Sequence, residues 1–371
     1  MKKVVFVLRP EIESLPPCIT QINSLLELGF EVVVITMHVS SYIENFFWGK
    51  AITFSSPKRF FNDSNALGKI LNIIRFRKFL KENLKNKSDS ILWIGSLDTA
   101  QYFKAVLLRT EFCKIIFNIF ELYDKFPFRL KQIKPVAQKA DAVIVPEYNR
   151  AHILKVWLEL KRTPVVIPNK PYIIQNDIEH ETLEIVNNLK SKNKKIILYQ
   201  GWIADDRDIT VIADALNILN DDDYLLVLMG KETKPGVIDI IKGKYRNVEI
   251  IPFLNPPQHL FVTETAYIGI ATYDDSSLNN IFCAPNKIYE YALKRVPILA
   301  RDIPGLRNTV CLKNTGVCVD TNNTERIIEG IKAIEEQHSF FAESAFKFQE
   351  ECNILEKYRG LIENLLNEST H

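Results

Sequence analysis

Short runs of β-branched and other apolar residues recur along this chain with room for one helix between each pair, and that alternation constrains the fold more than any other feature. In the first half the runs are residues 4–8, 31–36, 91–95, 114–118, 142–146 and 165–168, with helix-like segments at 18–28, 66–84 and 100–108 between them. Strands that are apolar on both faces and separated by helices belong to a parallel sheet covered on both sides. The expected architecture is α/β, a doubly wound parallel sheet.

The pattern then restarts. A polar segment at 170–177 and a helix near 183–189 lead to a fresh strand at 195–200, followed by runs at 225–229, 248–252, 267–271, 297–300 and 316–319. The last stretch, 325–366, reads as helix with breaks near His338 and Asn353. At about 150 residues per domain, 371 residues accommodate two domains, placed at 1–171 and 172–349. Two Rossmann-like domains leave a cleft between them, and ligands of such sheets bind beyond the carboxyl ends of the strands. Chemistry is therefore sought in the loops that follow each strand.

Composition removes several classes. A net charge of +2, 47% hydrophobic and 25% charged residues exclude a disordered or fibrous chain. The longest apolar runs, 4–8 and 224–229, are far short of the ~20 residues of a membrane span. Arg9, Pro10 and Glu11 end the first run too early for a signal-peptide core. The six cysteines form no C-x-x-C pair and the six histidines no H-x-x-x-H spacing, so reduced thiols in a cytoplasmic protein and no metal site are expected. Charge is unevenly shared: residues 1–170 hold 26 Lys/Arg against 15 Asp/Glu, and the remainder 21 against 30.

Two loops carry candidate chemistry. In Tyr199-Gln200-Gly201-Trp202-Ile203-Ala204-Asp205-Asp206-Arg207-Asp208 a strand is expected to end at Gln200 and a helix to start near Asp206. Gly201 permits a close turn, helix N–H groups attract an anion, and Arg207 offers a forked cation to a diphosphate. A capped turn with a surface arginine explains the same residues. No G-x-G-x-x-G is present. Asp206-Arg207-Asp208 spells a D-x-D metal signature, but acids at a helix start also suit the helix dipole. In Cys283-Ala284-Pro285-Asn286-Lys287-Ile288-Tyr289-Glu290-Tyr291-Ala292, Pro285 suits a first helical turn. Lys287 and Glu290 share one helix face; by itself this is an ordinary surface ion pair.

That segment, continued by Val296-Pro297-Ile298-Leu299-Ala300, resembles the donor-site helix of GT-B glycosyltransferases, close to glycosyltransferase family 4 (the group 1 type). Tyr199-Gln200-Gly201…Arg207 resembles the first loop of that fold's donor domain, and Val248-Glu249-Ile250-Ile251-Pro252-Phe253 its base-binding strand and loop. Asn118-Ile119-Phe120-Glu121-Leu122-Tyr123, then residues 140–145 and 166–169, resemble the second half of its acceptor domain. The resemblance implies two Rossmann-like domains facing a central cleft, with a C-terminal helix at about 350–371 packing back on the first. It implies transfer of a sugar from a UDP-, GDP- or TDP-sugar donor with retention and without a metal or other cofactor. It places Glu290 on the nucleotide ribose, Arg207 and Lys287 on the diphosphate, and Gly201, Trp202, Phe253, Tyr273, Ala284, Pro285 and Asn286 around the donor. Two positions depart from the family. Phe282 stands where a first glutamate is usual, eight residues before Glu290, and Phe120 stands where a histidine often precedes the acceptor-domain acid.

In the first domain Glu11, Glu13 and Glu121 follow strands and are the candidate catalytic carboxylates; a helix cap or a surface acid is the plainer reading of each. The stretch from Arg59 to Lys87 is rich in Lys and Arg, with Phe60, Phe61, Phe76 and Phe79 interleaved. Such a helix lies on an anionic membrane surface; a solvated helix packing Ile70, Ile73, Ile74 and Leu80 inward is the plain alternative. No nucleic-acid motif accompanies the charge. The expected function is hexosyl transfer to a glycan or lipid-linked saccharide in bacterial surface polysaccharide or glycoprotein glycan synthesis, in the cytoplasm or peripherally on the inner membrane face. The alternatives are a GT-B sugar-nucleotide epimerase, a non-catalytic glycosyltransferase-like accessory subunit and a bilobed small-molecule binding protein.

Overall fold

The computed structural model describes residues 2–57, 66–172, 177–219 and 222–367. The chain divides into two compact units, Met1–Tyr172 with Asn353–His371, and Ile173–Cys352.

In the first unit β1 (Lys3–Leu8), β2 (Glu31–Thr36), β3 (Ile52–Ser55), β4 (Ile91–Ile94), β5 (Lys114–Asn118), β6 (Ala142–Val145) and β7 (Val165–Val166) form a sheet in the order β3-β2-β1-β4-β5-β6-β7. Every pairing is parallel. The central strand β1 is buried from Val4 to Leu8, which is why its run is unbroken in sequence. β3 was not expected: Ile52-Thr53-Phe54-Ser55 alternates rather than runs, because an edge strand is only partly covered. Strand order reverses between β1 and β4, so residues 9–15 and 95–99 sit at that switch point. The helix Ile354–Asn367 belongs to this unit; Tyr358 is buried, its ring 5.8 Å from that of Trp93.

The helix Ala66–Asn83 does not have the phase of the plain solvated alternative. Its buried line is Asn72, Phe76 and Leu80, with Phe76 edge-on to Phe103 at 5.0 Å. Ile70 and Ile74 therefore point outward, with Leu67. The aromatic contact, not the isoleucines, sets which side faces the sheet. Residues 58–65, including Arg59, Phe60 and Phe61, lie outside the described residues.

In the second unit β8 (Lys195–Ile203), β9 (Tyr224–Glu232), β10 (Val248–Ile251), β11 (Ile268–Ala271), β12 (Ile298–Arg301) and β13 (Gly316–Val319) are ordered β10-β9-β8-β11-β12-β13, again all parallel. Alternate residues of β8 feed opposite cores: Ile197 and Tyr199 join Leu226, Ile212 and Ile331, whereas Ile196 and Leu198 join Val227, Tyr291 and Ala300. The helices Thr324–Glu336 and His338–Glu351 complete this unit.

Gly201 is not the turn expected at a strand end. β8 continues to Ile203, and Gly201 pairs with Gly230 of β9. Both have positive φ, +123° and +150°, and a Cβ on Gly230 would lie 1.9 Å from the Gly201 carbonyl oxygen. A side chain there forces the two strands apart. Gly230→Ala is expected to cost roughly 3 kcal/mol and to lower the melting temperature by roughly 6 °C or more. Scanning calorimetry checks this, and wild-type melting would contradict the Gly201–Gly230 register.

Candidate functional site

The second sheet reverses order between β8 and β11, and three segments converge at the carboxyl ends there: 199–208, 272–277 and 282–290. The helix Lys287–Leu293 is fixed to both strands by one side chain. Tyr291, fully buried, donates its hydroxyl to the Leu198 carbonyl at 2.9 Å and lies 3.3 Å from that of Ile270. Its ring covers Gly269, where a Cβ would fall 2.7 Å from the ring. Lys287 and Glu290 lie on the same side of this helix as Tyr291 and are carried onto the strand ends with it.

They do not form the surface ion pair that their spacing suggested. Glu290 Oε2 accepts from Gln200 Nε2 at 2.5 Å, and Oε1 lies 3.4 Å from His259 Nε2. Thr263 Oγ1, 2.9 Å from Gln200 Oε1, orients that amide. His259 Nδ1 is buried without a partner among the described residues, so the proton is assigned to Nε2, facing Glu290. Burial alone would raise the Glu290 pKa; His259, Gln200 and Lys287 outweigh it and hold the carboxyl below its ordinary value.

Lys287 is buried, with Nζ 4.0 Å from the centre of the Tyr199 ring and 5.7 Å from that of Tyr273. A side chain on Gly201 would begin 3.5 Å from the same nitrogen. Burial first, and then the neighbouring Arg207 charge, push the Lys287 pKa down to about 7. Arg207 stacks on Tyr273 at 4.3 Å and bonds the Asp206 carboxylate at 2.9 Å.

The helix expected near Asp206 begins later. Asp205–Arg207 is a 3-10 turn, Asp208 is left-handed at φ +51°, and the α-helix is Ile209–Leu219. Asp208 is held there by Arg301 at 2.7 Å and Thr321 at 2.5 Å. Both acids of the Asp206-Arg207-Asp208 triplet are thus engaged with arginines. Pro285 likewise precedes the helix instead of opening it: Asn286 is the N-cap and Lys287 the first helical residue.

Ala284, Pro285 and Asn286 are half-buried in the lead-in to that helix, and Phe253 is exposed in the loop after β10. Trp202 is also exposed, at the edge of an open depression of about 620 Å³ lined by Ala204, Asp206, Arg207, Thr233 and Lys234 as well. The structure therefore gathers Gly201, Trp202, Arg207, Tyr273, Lys287 and Glu290. It adds Gln200, His259, Thr263, Thr233 and Lys234, which sequence reasoning did not select. Thr233 and Lys234 were hidden because β9 extends past its apolar run. His259 and Thr263 lie in a short helix, His259–Thr263, that has no periodic signal.

In the first unit the three candidate carboxylates follow β1 and β5. Glu11 is exposed, 4.0 Å from His38 Nδ1. Glu13 accepts from the Ser40 hydroxyl. Glu121 pairs at 3.3 Å with Arg150, a buried guanidinium that also donates to the Phe120 carbonyl. Nearby, Asp98 accepts from Arg129 and lies 3.9 Å from Arg9.

Residues 181–351 match the family model for glycosyl transferases group 1. Among solved structures, the chain is similar to a glycosyltransferase from Rickettsia africae, with 16% identity, a TM-score of 0.73 and 98% of each chain covered. It is similar to sucrose-phosphate synthase from Thermosynechococcus elongatus, with 13% identity, a TM-score of 0.71, and 99% of this chain and 100% of that one covered. It is also similar to Anabaena HepE in complex with UDP-glucose, with 14% identity, a TM-score of 0.70 and the same coverage. No curated protein matches by sequence. The two doubly wound units have the GT-B fold of these structures, and residues 181–351, within the second unit, match the model of the glycosyl transferases group 1 family.

Proposed function

We propose that this protein moves a hexose from a nucleotide-sugar donor to a hydroxyl of a glycan or lipid-linked saccharide, with retention and without a metal. The observation that carries the reading is the meeting, at one switch point, of a largely covered carboxylate, Glu290, with the buried Lys287 and the partly covered Arg207. Glu290, ionised and oriented by His259 and Gln200, accepts from ribose hydroxyls. Arg207 and Lys287 take the diphosphate, whose negative charge grows as the bond from sugar C1 to phosphate oxygen breaks; fixed cations in a dry site stabilise that transition state. Gly201 lets the phosphates approach the backbone, Trp202 and Tyr273 border the sugar, and Phe253 covers the base. Ala284, Pro285 and Asn286 run alongside. HepE, similar in fold, is described with UDP-glucose, which supports a donor of this class.

On the acceptor side the hydroxyl oxygen forms the new bond to C1, and its proton leaves on the departing phosphate oxygen. Glu121, Glu11 and Glu13 are the carboxylates that would take that proton if the reaction inverts. The setting in this reading is bacterial surface polysaccharide or glycoprotein glycan synthesis, in the cytoplasm. A lipid-linked acceptor also brings peripheral contact with an anionic membrane through the segment from Arg59 to Lys87. No helix among the described residues is long and apolar enough to cross a membrane.

The test is release of free nucleoside diphosphate from UDP-, GDP- and TDP-hexoses, with and without saccharide acceptors, in the presence and absence of EDTA. Release that depends on acceptor and survives EDTA is expected. Conversion of the donor sugar without an acceptor would replace the reading with an epimerase, and loss in EDTA would remove metal independence. Phe282 at the usual glutamate position favours one second reading, an accessory subunit; nucleotide binding with no turnover on any donor would point to it.

A further inference from the structure

Three adjacent helices of the first unit leave apolar side chains outside near one rim of its sheet. The helix Ala66–Asn83 packs on Leu97–Leu107, which packs on Pro127–Lys139. Crossover helices of a parallel sheet run opposite to its strands, so all three begin at the carboxyl rim. Leu67, Ile70 and Ile74 are 65%, 53% and 59% exposed and recur at helical spacing. They lie away from the buried line of Asn72, Phe76 and Leu80, so packing of the fold does not explain them. At the start of the third helix Phe126 and Phe128 are 57% and 68% exposed.

Charge surrounds this apolar rim. Arg77, Lys78 and Lys81 continue the outer face of the first helix, and Lys125 and Lys131 flank the two phenylalanines, all exposed. The acids on the three helices are Glu82 and Asp98, and Asp98 is engaged by Arg129. Asp124 lies just before the third helix.

We propose that this rim docks on an anionic lipid bilayer. Leu67, Ile70, Ile74, Phe126 and Phe128 enter the boundary between headgroups and acyl chains, and the Lys and Arg side chains contact anionic headgroups. This extends the surface from the single basic segment to a second element, the Phe126–Phe128 edge. Charge selects the occupant: a twofold contact with a second copy would set the same basic surface against itself, whereas an anionic bilayer complements it. The proposal rests on the lipid-linked acceptor in the reading above but needs neither donor nor turnover.

The test is sedimentation of the full chain with phosphatidylcholine vesicles and with vesicles that also contain phosphatidylglycerol. Partitioning about tenfold or more in favour of the anionic vesicles, weakened by salt, is expected. Ile70→Ser with Ile74→Ser, and separately Phe126→Ser with Phe128→Ser, should each lower partitioning several-fold while melting and nucleotide binding stay at wild-type values. Equal partitioning to both vesicles, or variants that partition like wild type, would overturn the proposal. So would self-association, seen by sedimentation velocity, that the same substitutions abolish in a chain that ignores vesicles. Vesicle binding without any nucleotide binding would remove the donor site and leave the docking surface standing; the reverse would remove only the docking surface.

Discussion

Lys287→Met is expected to melt higher than wild type and yet to bind nucleoside diphosphate tenfold or more weakly near pH 6.5, a loss of about 1.5–3 kcal/mol for one charge-assisted contact. The two effects have one cause. Lys287 is buried on the Tyr199 ring, and burial with the nearby Arg207 charge lowers its pKa to about 7. In the unfolded chain it titrates at about 10.4. Between those values the unfolded chain holds more protons than the folded one, so this group makes stability rise with pH from about 7 upward. Below that window the folded protein carries the buried charge at its full cost, on the order of a few kcal/mol, which methionine removes. Binding runs the other way. A diphosphate restores the proton, so wild-type affinity should fall as pH rises above 7, and binding should take up protons. Calorimetric melts at pH 6.5 and 9, with titrations in buffers of different ionisation enthalpy, measure all of this. A variant that melts lower at pH 6.5, or a wild-type affinity that is flat across this range, would show that Lys287 is not the buried cation of the site.

Glu290→Ala is expected to change both quantities downward. The carboxylate accepts from Gln200, which is buried, and faces His259, which is largely covered. Removing it strands the buried Gln200 amide, at about 1–3 kcal/mol, and leaves the largely covered His259 without its acceptor. It also removes the acceptor for the ribose hydroxyls, and nucleotide affinity should fall on the order of a hundredfold. A ligand change isolates the second effect: wild type should prefer UDP over 2′-deoxy-UDP, or GDP over its deoxy form, and Glu290→Ala should not. Equal discrimination in both proteins would mean that Glu290 supports the loop and does not touch the ribose. Opposite shifts in melting temperature for Lys287→Met and Glu290→Ala separate a buried cation from a hydrogen-bonded, largely covered carboxylate, although the two residues are three apart on one helix.

What the sequence made legible follows from coverage. β1, β4, β5 and β6 are bounded to within a residue by their apolar runs, because central strands covered on both faces give unbroken ones. β3 escaped because an edge strand alternates. β8 and β9 outran their apolar runs because two glycines, Gly201 and Gly230, pair and let the ladder continue. Spacing placed Lys287 and Glu290 on one helix face, but it could not say whether that face meets water or the sheet. Tyr291 decides, through hydrogen bonds to carbonyls of two strands far from it in sequence. The same limit hid the Thr263–Gln200–Glu290–His259 network, which joins residues up to 90 apart. Periodicity left open whether Ile70 and Ile74 face inward, and the Phe76–Phe103 contact, invisible to it, turns them outward.

The most direct test of the donor site is calorimetric titration of the wild-type chain with UDP, GDP and TDP, each with and without EDTA. One nucleotide should bind, with equal affinity in EDTA, and the heat should vanish in Glu290→Ala. No binding by any of the three, or binding unchanged in Glu290→Ala, would contradict the assignment of the Lys287–Glu290 helix to a nucleotide-sugar donor.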